Sequence, residues 1–165
     1  MQDGTHSIKI LVIYDSETGN TEKMAHAVAE GAKEVSSVKV VVKKVSRATL
    51  KDLIAADGII IGSPTYYGQM SGRTKAFIDK TVKIHGKLQG KIGAAFTSSG
   101  GTASGAETTL LSILQTMLVH GMIIQGRHDD KHYGAAAVGK PNKTQIDDCR
   151  QLGRKIATLT QKLRT

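Results

Sequence analysis

Short runs of aliphatic and β-branched residues alternate along this chain with longer stretches whose apolar positions recur every three or four residues. The runs Ile8–Tyr14, Val38–Lys43, Gly58–Gly62, Ile92–Thr97 and Met122–Ile124 have the length and composition of strands. Between the first two, Met24, Ala27, Val28, Gly31 and Ala32 share one face of an amphipathic helix. Leu50–Ala56 and Ser71–Ile84 predict a second and a third helix. Leu110, Leu111, Leu114, Met117 and Leu118 mark a fourth, and Ile146, Cys149, Leu152, Ile156, Leu159 and Leu163 a fifth. The segment Gly58-Ile59-Ile60-Ile61 has no polar face, which suits a strand covered by helices on both sides. Right-handed crossovers between such elements give a doubly wound, five-stranded parallel sheet in a three-layer α/β/α arrangement. In that architecture ligands bind beyond the carboxyl ends of the strands.

Composition adds bounds to this picture. With 165 residues, 39% of them hydrophobic and 22% charged, the chain is expected to form one globular domain over residues 1–165. A single cysteine excludes an internal disulfide framework and any Cys-rich metal site. The polar start, Met1 to Ser7, leads straight into the first strand, and no apolar stretch reaches the roughly 18 residues of a membrane helix. The expected setting is therefore cytoplasmic, without a membrane partner. The 23 basic against 14 acidic residues give a net charge of +9, which raises nucleic acid as a partner. The basic residues are spread over several helices with no aromatic platform, so nucleic-acid binding is not expected.

Candidate chemistry gathers in three segments at strand ends. After the first strand, Ser16-Glu17-Thr18-Gly19-Asn20-Thr21 runs into a helix: three hydroxyls, a glycine and the free N–H groups of a helix start, which together can cradle a phosphate. The same residues also suit an ordinary helix cap. No lysine or arginine lies within the segment, and it is neither a dinucleotide-binding glycine pattern nor a Walker loop. After the third strand, Ser63-Pro64-Thr65-Tyr66-Tyr67-Gly68-Gln69-Met70 places two of the four tyrosines beside a glycine that lets a backbone peptide approach a planar ring. A surface turn with rings covering the sheet end is the other reading. After the fourth, Thr97-Ser98-Ser99-Gly100-Gly101-Thr102-Ala103-Ser104-Gly105 is rich in backbone donors, or else simply a flexible loop.

In this order the three segments resemble the flavodoxin-like FMN proteins. Ser16 to Thr21, Ser63 to Gly72, Leu118-Val119-His120-Gly121-Met122 and Tyr133-Gly134-Ala135 resemble more narrowly the NAD(P)H:quinone oxidoreductase branch, the tryptophan-repressor-binding-protein-like flavoproteins. The resemblance implies that Ser16, Thr18, Gly19, Asn20 and Thr21 hold the FMN phosphate, with the Glu17 carboxylate turned away. It implies that Thr65, Tyr66 and Tyr67 flank the isoalloxazine, that the backbone near Gly68 faces its N5 edge, and that Pro64 belongs to the same cofactor-binding segment. Ser98, Ser99, Gly100, Gly101 and Thr102 would bond its pyrimidine edge, and His120 would reach the flavin of a neighbouring subunit in a dimer or tetramer; just before Gly121 at a helix end, His120 equally suits a purely structural cap. The implied reaction is hydride transfer from NAD(P)H to FMN and electron delivery to a quinone, with no metal.

Some features depart from that branch. Val45-Ser46-Arg47-Ala48-Thr49-Leu50 passes directly into the second helix where relatives carry an insertion. The aromatic residue that covers the quinone has only His85 as its nearest counterpart. Thr18-Gly19-Asn20-Thr21-Glu22 instead resembles short-chain flavodoxins, which carry electrons between redox proteins. Those carriers are typically acidic, whereas this chain is basic. Arg73 and Lys75 read either as attracting nicotinamide phosphates or as a solvated helix face. His128 and His132 would share a helix face, but Tyr133-Gly134-Ala135 signals a loop.

Overall fold

The structure, a computed structural model, describes residues 7–164; apart from Ser7, the polar start discussed above lies outside them. The strands are β1 (Ile8–Tyr14), β2 (Val38–Lys44), β3 (Gly58–Tyr66), β4 (Gln69–Met70), β5 (Ile92–Ser99), β6 (Ile123–Ile124) and β7 (Ala135–Val138). The helices are α1 (Asn20–Lys33), α2 (Leu50–Ala55), α3 (Gly72–Lys80), α4 (Ala106–Val119) and α5 (Lys143–Arg164). Strand order is β2-β1-β3-β5-β6, all parallel; β7 joins β5 in parallel and β4 pairs antiparallel with β3.

The expected doubly wound parallel sheet is present, but its strands among the described residues number seven rather than five. Both additions have a physical cause. β3 does not stop at Gly62: it continues through Ser63 to Tyr66 and turns back as a hairpin, with Thr65 opposite Met70 and Tyr66 opposite Gln69. The fifth position of the sheet is divided. β6 pairs with Ile92 and Gly93 at the start of β5, the chain then leaves the edge, and β7 returns to pair with Phe96 to Ser99. Ala135-Ala136-Ala137 has little intrinsic strand preference. It is extended because the buried second half of β5 needs backbone partners.

Alternation along β1 divides the core. Ile10, Val12 and Tyr14 face the layer of α1 and α5, with Met24, Val28, Cys149 and Ile156. Leu11 and Ile13 face the layer of α2, α3 and α4, with Leu53, Phe77, Ile113 and Met117. α1 and α5 pack backbone to backbone: a Cβ on Gly31 would lie 1.9 Å from the Arg150 carbonyl oxygen, and one on Gly153 would lie 1.8 Å from that of Val28. On α4 the apolar stripe is rotated from the expected one. Leu110, Ile113, Leu114 and Met117 are buried, while Leu118 is 59% exposed.

Candidate functional site

The five helices differ in how they begin. Thr49 and Asp52 form a capping box on α2, Ser71 Oγ accepts from the Thr74 amide on α3, and Asn142 with Gln145 closes the start of α5. α1 and α4 have no side-chain cap: each starts from a left-handed glycine, Gly19 at φ 91° and Gly105 at φ 100°. The hydroxyl-rich segment therefore does not cap its own helix. Ser16 Oγ instead accepts from the Gly19 amide at 3.1 Å, which curls the loop and leaves the first-turn N–H groups of α1 uncapped by any side chain. A Cβ at Gly19 would meet nothing within 4 Å, so the mouth of this cradle is open.

The three strand-end segments form one connected surface. Thr21, 1% exposed, joins its hydroxyl to Ser98 Oγ at 2.8 Å, tying the cradle to the end of β5. Thr65 Oγ1 meets Thr97 Oγ1 at 2.9 Å, and the Thr97 hydroxyl donates to the Ser63 carbonyl at 2.7 Å, tying β5 to the hairpin. At the hairpin tip Tyr67 (φ 52°) and Gly68 (φ 74°) make a two-residue turn with both residues left-handed. That backbone favours glycine, yet position 67 carries a fully exposed ring, beside Tyr66 at 43% exposed. Gly68 rests on Gly105: a Cβ on Gly105 would lie 2.4 Å from the Gly68 Cα, so hairpin and α4 start meet backbone to backbone. Of the segment 97–105 only Gly100 to Gly105 is irregular, because Thr97, Ser98 and Ser99 belong to β5 and are buried. Pro64 likewise is a buried strand residue paired with Ser98, and Thr65 and Tyr66 close β3.

Sequence reasoning missed the group that holds these segments together. Asp15, with no exposed surface, follows β1, and its backbone N–H donates to the Gly62 carbonyl at 3.1 Å. Its carboxylate accepts from Ser71 Oγ at 2.7 Å and from Arg73 Nε at 2.9 and 3.1 Å. Arg73 Nη2 then donates to the exposed Glu17 carboxylate at 2.5 Å. Arg73 is thus engaged rather than a freely solvated cation, and hydrogen bonds to Asp15 and then Glu17 hold its pKa above the ordinary arginine value. Lys75 pairs with Asp79 on the surface of α3. The available signal was an acid placed at the end of an apolar strand, because a buried carboxylate requires partners.

His85 and His120 lie elsewhere. His120 is the C-cap of α4, about 20 Å along that helix from Gly105 at roughly 1.5 Å per residue. Its Nε2 bonds Thr81 Oγ1 at 2.7 Å, its Nδ1 is buried without a partner, and its ring lies 5.7 Å from that of His85. Burial, and secondarily His85, lowers its pKa. Neither ring reaches the cradle or hairpin of the same chain. His132 Nδ1 bonds the Arg127 carbonyl at 2.8 Å within an irregular loop. Among the described residues no group of three His, Cys, Asp or Glu side chains could hold a metal ion, and no helix is long and apolar enough to cross a membrane.

Comparison with known proteins places these features in a lineage. The family model described as NADPH-dependent FMN reductase matches residues 8–128. A flavodoxin of Aquifex aeolicus is 42% identical over 157 residues, covering 90% of this chain and 85% of that protein. An NAD(P)H dehydrogenase (quinone) of Archaeoglobus fulgidus is 38% identical over 189 residues, covering 94% and 98%. That alignment is longer than the chain, so the Archaeoglobus protein carries segments with no counterpart here. Among solved structures, a flavodoxin, WrbA-like protein from Agrobacterium tumefaciens superposes with a TM-score of 0.82 at 27% identity, covering 94% of this chain and 99% of the other. A flavodoxin from the domain Archaea reaches 0.76 at 32%, covering 93% and 99%.

Proposed function

The chain belongs to the family of NADPH-dependent FMN reductases, and from that premise we propose that it is an FMN-dependent oxidoreductase passing electrons from NAD(P)H to a quinone. One observation carries the reading. α1 and α4 begin uncapped at the strand ends, with an open hydroxyl cradle at one and an exposed tyrosine hairpin beside the other.

A flavin mononucleotide fits the residues present. Thr18 and Asn20, with the first amides of α1, that of Thr21 among them, offer neutral donors for the phosphate; Ser16 shapes the loop, Gly19 leaves it open and the Thr21 hydroxyl anchors it to Ser98. Pro64, Thr65, Tyr66, Tyr67 and Gly68 form the wall against the ring. Ser98, Ser99, Gly100, Gly101 and Thr102 supply polar groups for its pyrimidine edge. When bound, FMN supplies a ring that accepts hydride and returns electrons in pairs. The chain's own part is to orient that ring, exclude water from one face with the tyrosine hairpin, and leave the other face open to nicotinamide and quinone in turn. No side chain at the site is required to move a proton.

The protein works as one domain over residues 1–165, in the cytoplasm, and as a homo-oligomer. Assembly is supported by Leu118 and Val119, 59% and 71% exposed at the end of α4, which a second copy would cover. His120 sits beside that patch and would reach a flavin only in the neighbouring subunit. The carrier reading, electrons passed between redox proteins, is favoured by one observation: the Aquifex flavodoxin aligns without the extra length of the quinone dehydrogenase. The test is direct. Purified protein should be yellow with flavin absorption, and should oxidise NADH or NADPH only when a quinone is added. Electron passage between two redox proteins without quinone-dependent oxidation would select the carrier, and protein left colourless by excess FMN would refute both.

A further inference from the structure

The cradle from Ser16 to Thr21 contains no cation, yet it contains one carboxylate, Glu17, and directly follows another, Asp15. A phosphate ester there adds a charge of about −1.5 to −2. Asp15 cannot turn away from it: the residue has no exposed surface and its oxygens are held by Ser71 and Arg73. Among the described residues Arg73 is the one cation paired with either acid, and it is paired with both. Its fork suits the task, since Nε faces the buried carboxylate while Nη2 reaches the exposed one. Its position in the first turn of α3, directly after the tyrosine hairpin, ties it to the ring end of the site through Ser71, whose amide donates to Ser63 Oγ at 2.8 Å.

We infer that Arg73 is a positioning residue that sets the charge of the cradle: by holding Asp15 and Glu17 it lets a seat built from neutral donors accept a phosphate dianion. The inference rests on the reading of residues 16–21 as the phosphate seat. Without the guanidinium, two uncompensated carboxylates border the seat, one of them immovable.

The test compares FMN with riboflavin, which has the same ring and no phosphate, by flavin fluorescence on the apoprotein. Arg73→Gln should weaken FMN about tenfold, the order expected for one lost charge acting on a nearby dianion at partly screened separation, and leave riboflavin within about twofold. Adding Glu17→Gln to that variant should recover part of the FMN affinity. Lys75→Gln, which removes a charge from the same helix away from the cradle, should leave the FMN-to-riboflavin ratio unchanged. Should Arg73→Gln fail to fold, Glu17→Gln alone carries the test. With Arg73 freed of one partner, FMN should tighten about two- to threefold with no change for riboflavin, a modest gain because the pair is exposed. Equal losses of both ligands in Arg73→Gln, or no loss of either, would overturn the charge-setting role. A wild-type chain that binds riboflavin as tightly as FMN would instead refute the phosphate seat itself, and the inference with it.

Discussion

Replacing Gly105 by alanine probes the joint between the hairpin and α4. The added Cβ would lie 2.4 Å from the Gly68 Cα, more than about 1 Å inside ordinary apolar contact. Neither side of the contact is a side chain that can swing away. Position 105 also sits at φ 100°, where a non-glycine residue costs about 1–3 kcal/mol. Forced separation of two packed segments costs about as much again. Because moving the hairpin relieves part of the clash, the net loss should be about 2–4 kcal/mol, or a fall in Tm of about 5–15 °C for a chain of this size. On the proposed reading the displaced hairpin walls the ring site, so FMN and riboflavin should both weaken by about tenfold or more, in contrast to the phosphate-selective loss expected at Arg73. Gly72→Ala supplies the control. It lies in the first turn of α3 with nothing within 4 Å of its Cβ and no positive φ, so it should raise stability by about 0.4–1 kcal/mol. Thermal unfolding and flavin titration measure both. A Gly105→Ala protein with Tm within 2 °C of wild type (about 1 kcal/mol or less) and unchanged flavin affinities would refute the account of how the two segments meet.

Three further outcomes follow from the geometry. Thr21→Val removes the buried hydroxyl bond to Ser98 and should cost about 1–2 kcal/mol; Ser98→Ala should cost a similar amount, and the double variant should lose less than the sum, read from denaturant midpoints. Burial, followed by the 2.6 Å bond to Glu22, pushes the Tyr14 phenol up to about 12 from an ordinary value of 10.0. The neutral phenol is thus favoured by folding, its contribution being complete below pH 10 and lost between 10 and about 12. Tyrosinate absorbance should show a late component near pH 12 that Tyr14→Phe abolishes. The Cys149 thiol, fully buried and pushed up to about 12 by that burial, should resist thiol reagents in the folded protein and react at once on unfolding. Rapid labelling of native protein would contradict its burial on the core face of α5.

Much of the candidate site is legible in the sequence, because a strand-to-helix turn is a local object. The cradle, the paired tyrosines and the glycine-rich segment each announce themselves within a few residues. What blurred was the boundary between strand and loop. Ser63 to Tyr66 and Thr97 to Ser99 contain turn-forming residues, yet the β3–β5 pairing carries Ser63 and Pro64 as strand, opposite Thr97 and Ser98. A turn propensity of a few tenths of a kcal/mol yields to a ladder that satisfies buried backbone groups.

The alternation of short apolar runs with helical stripes was enough to determine a parallel sheet between two helical layers, because periods of 2 and 3.6 are properties of the chain itself. Glycines and hydroxyls at the strand ends were likewise enough to mark where a ligand could sit. Only the tertiary structure decided that the buried Asp15 pairs with the half-exposed Arg73, 58 positions away, and that Thr21 reaches Ser98 across 77. The same holds for Ala135 to Val138 as a strand and for His120 at the far end of α4 from the cradle. Those outcomes turn on which distant groups burial leaves in need of a partner, and no local pattern encodes that need.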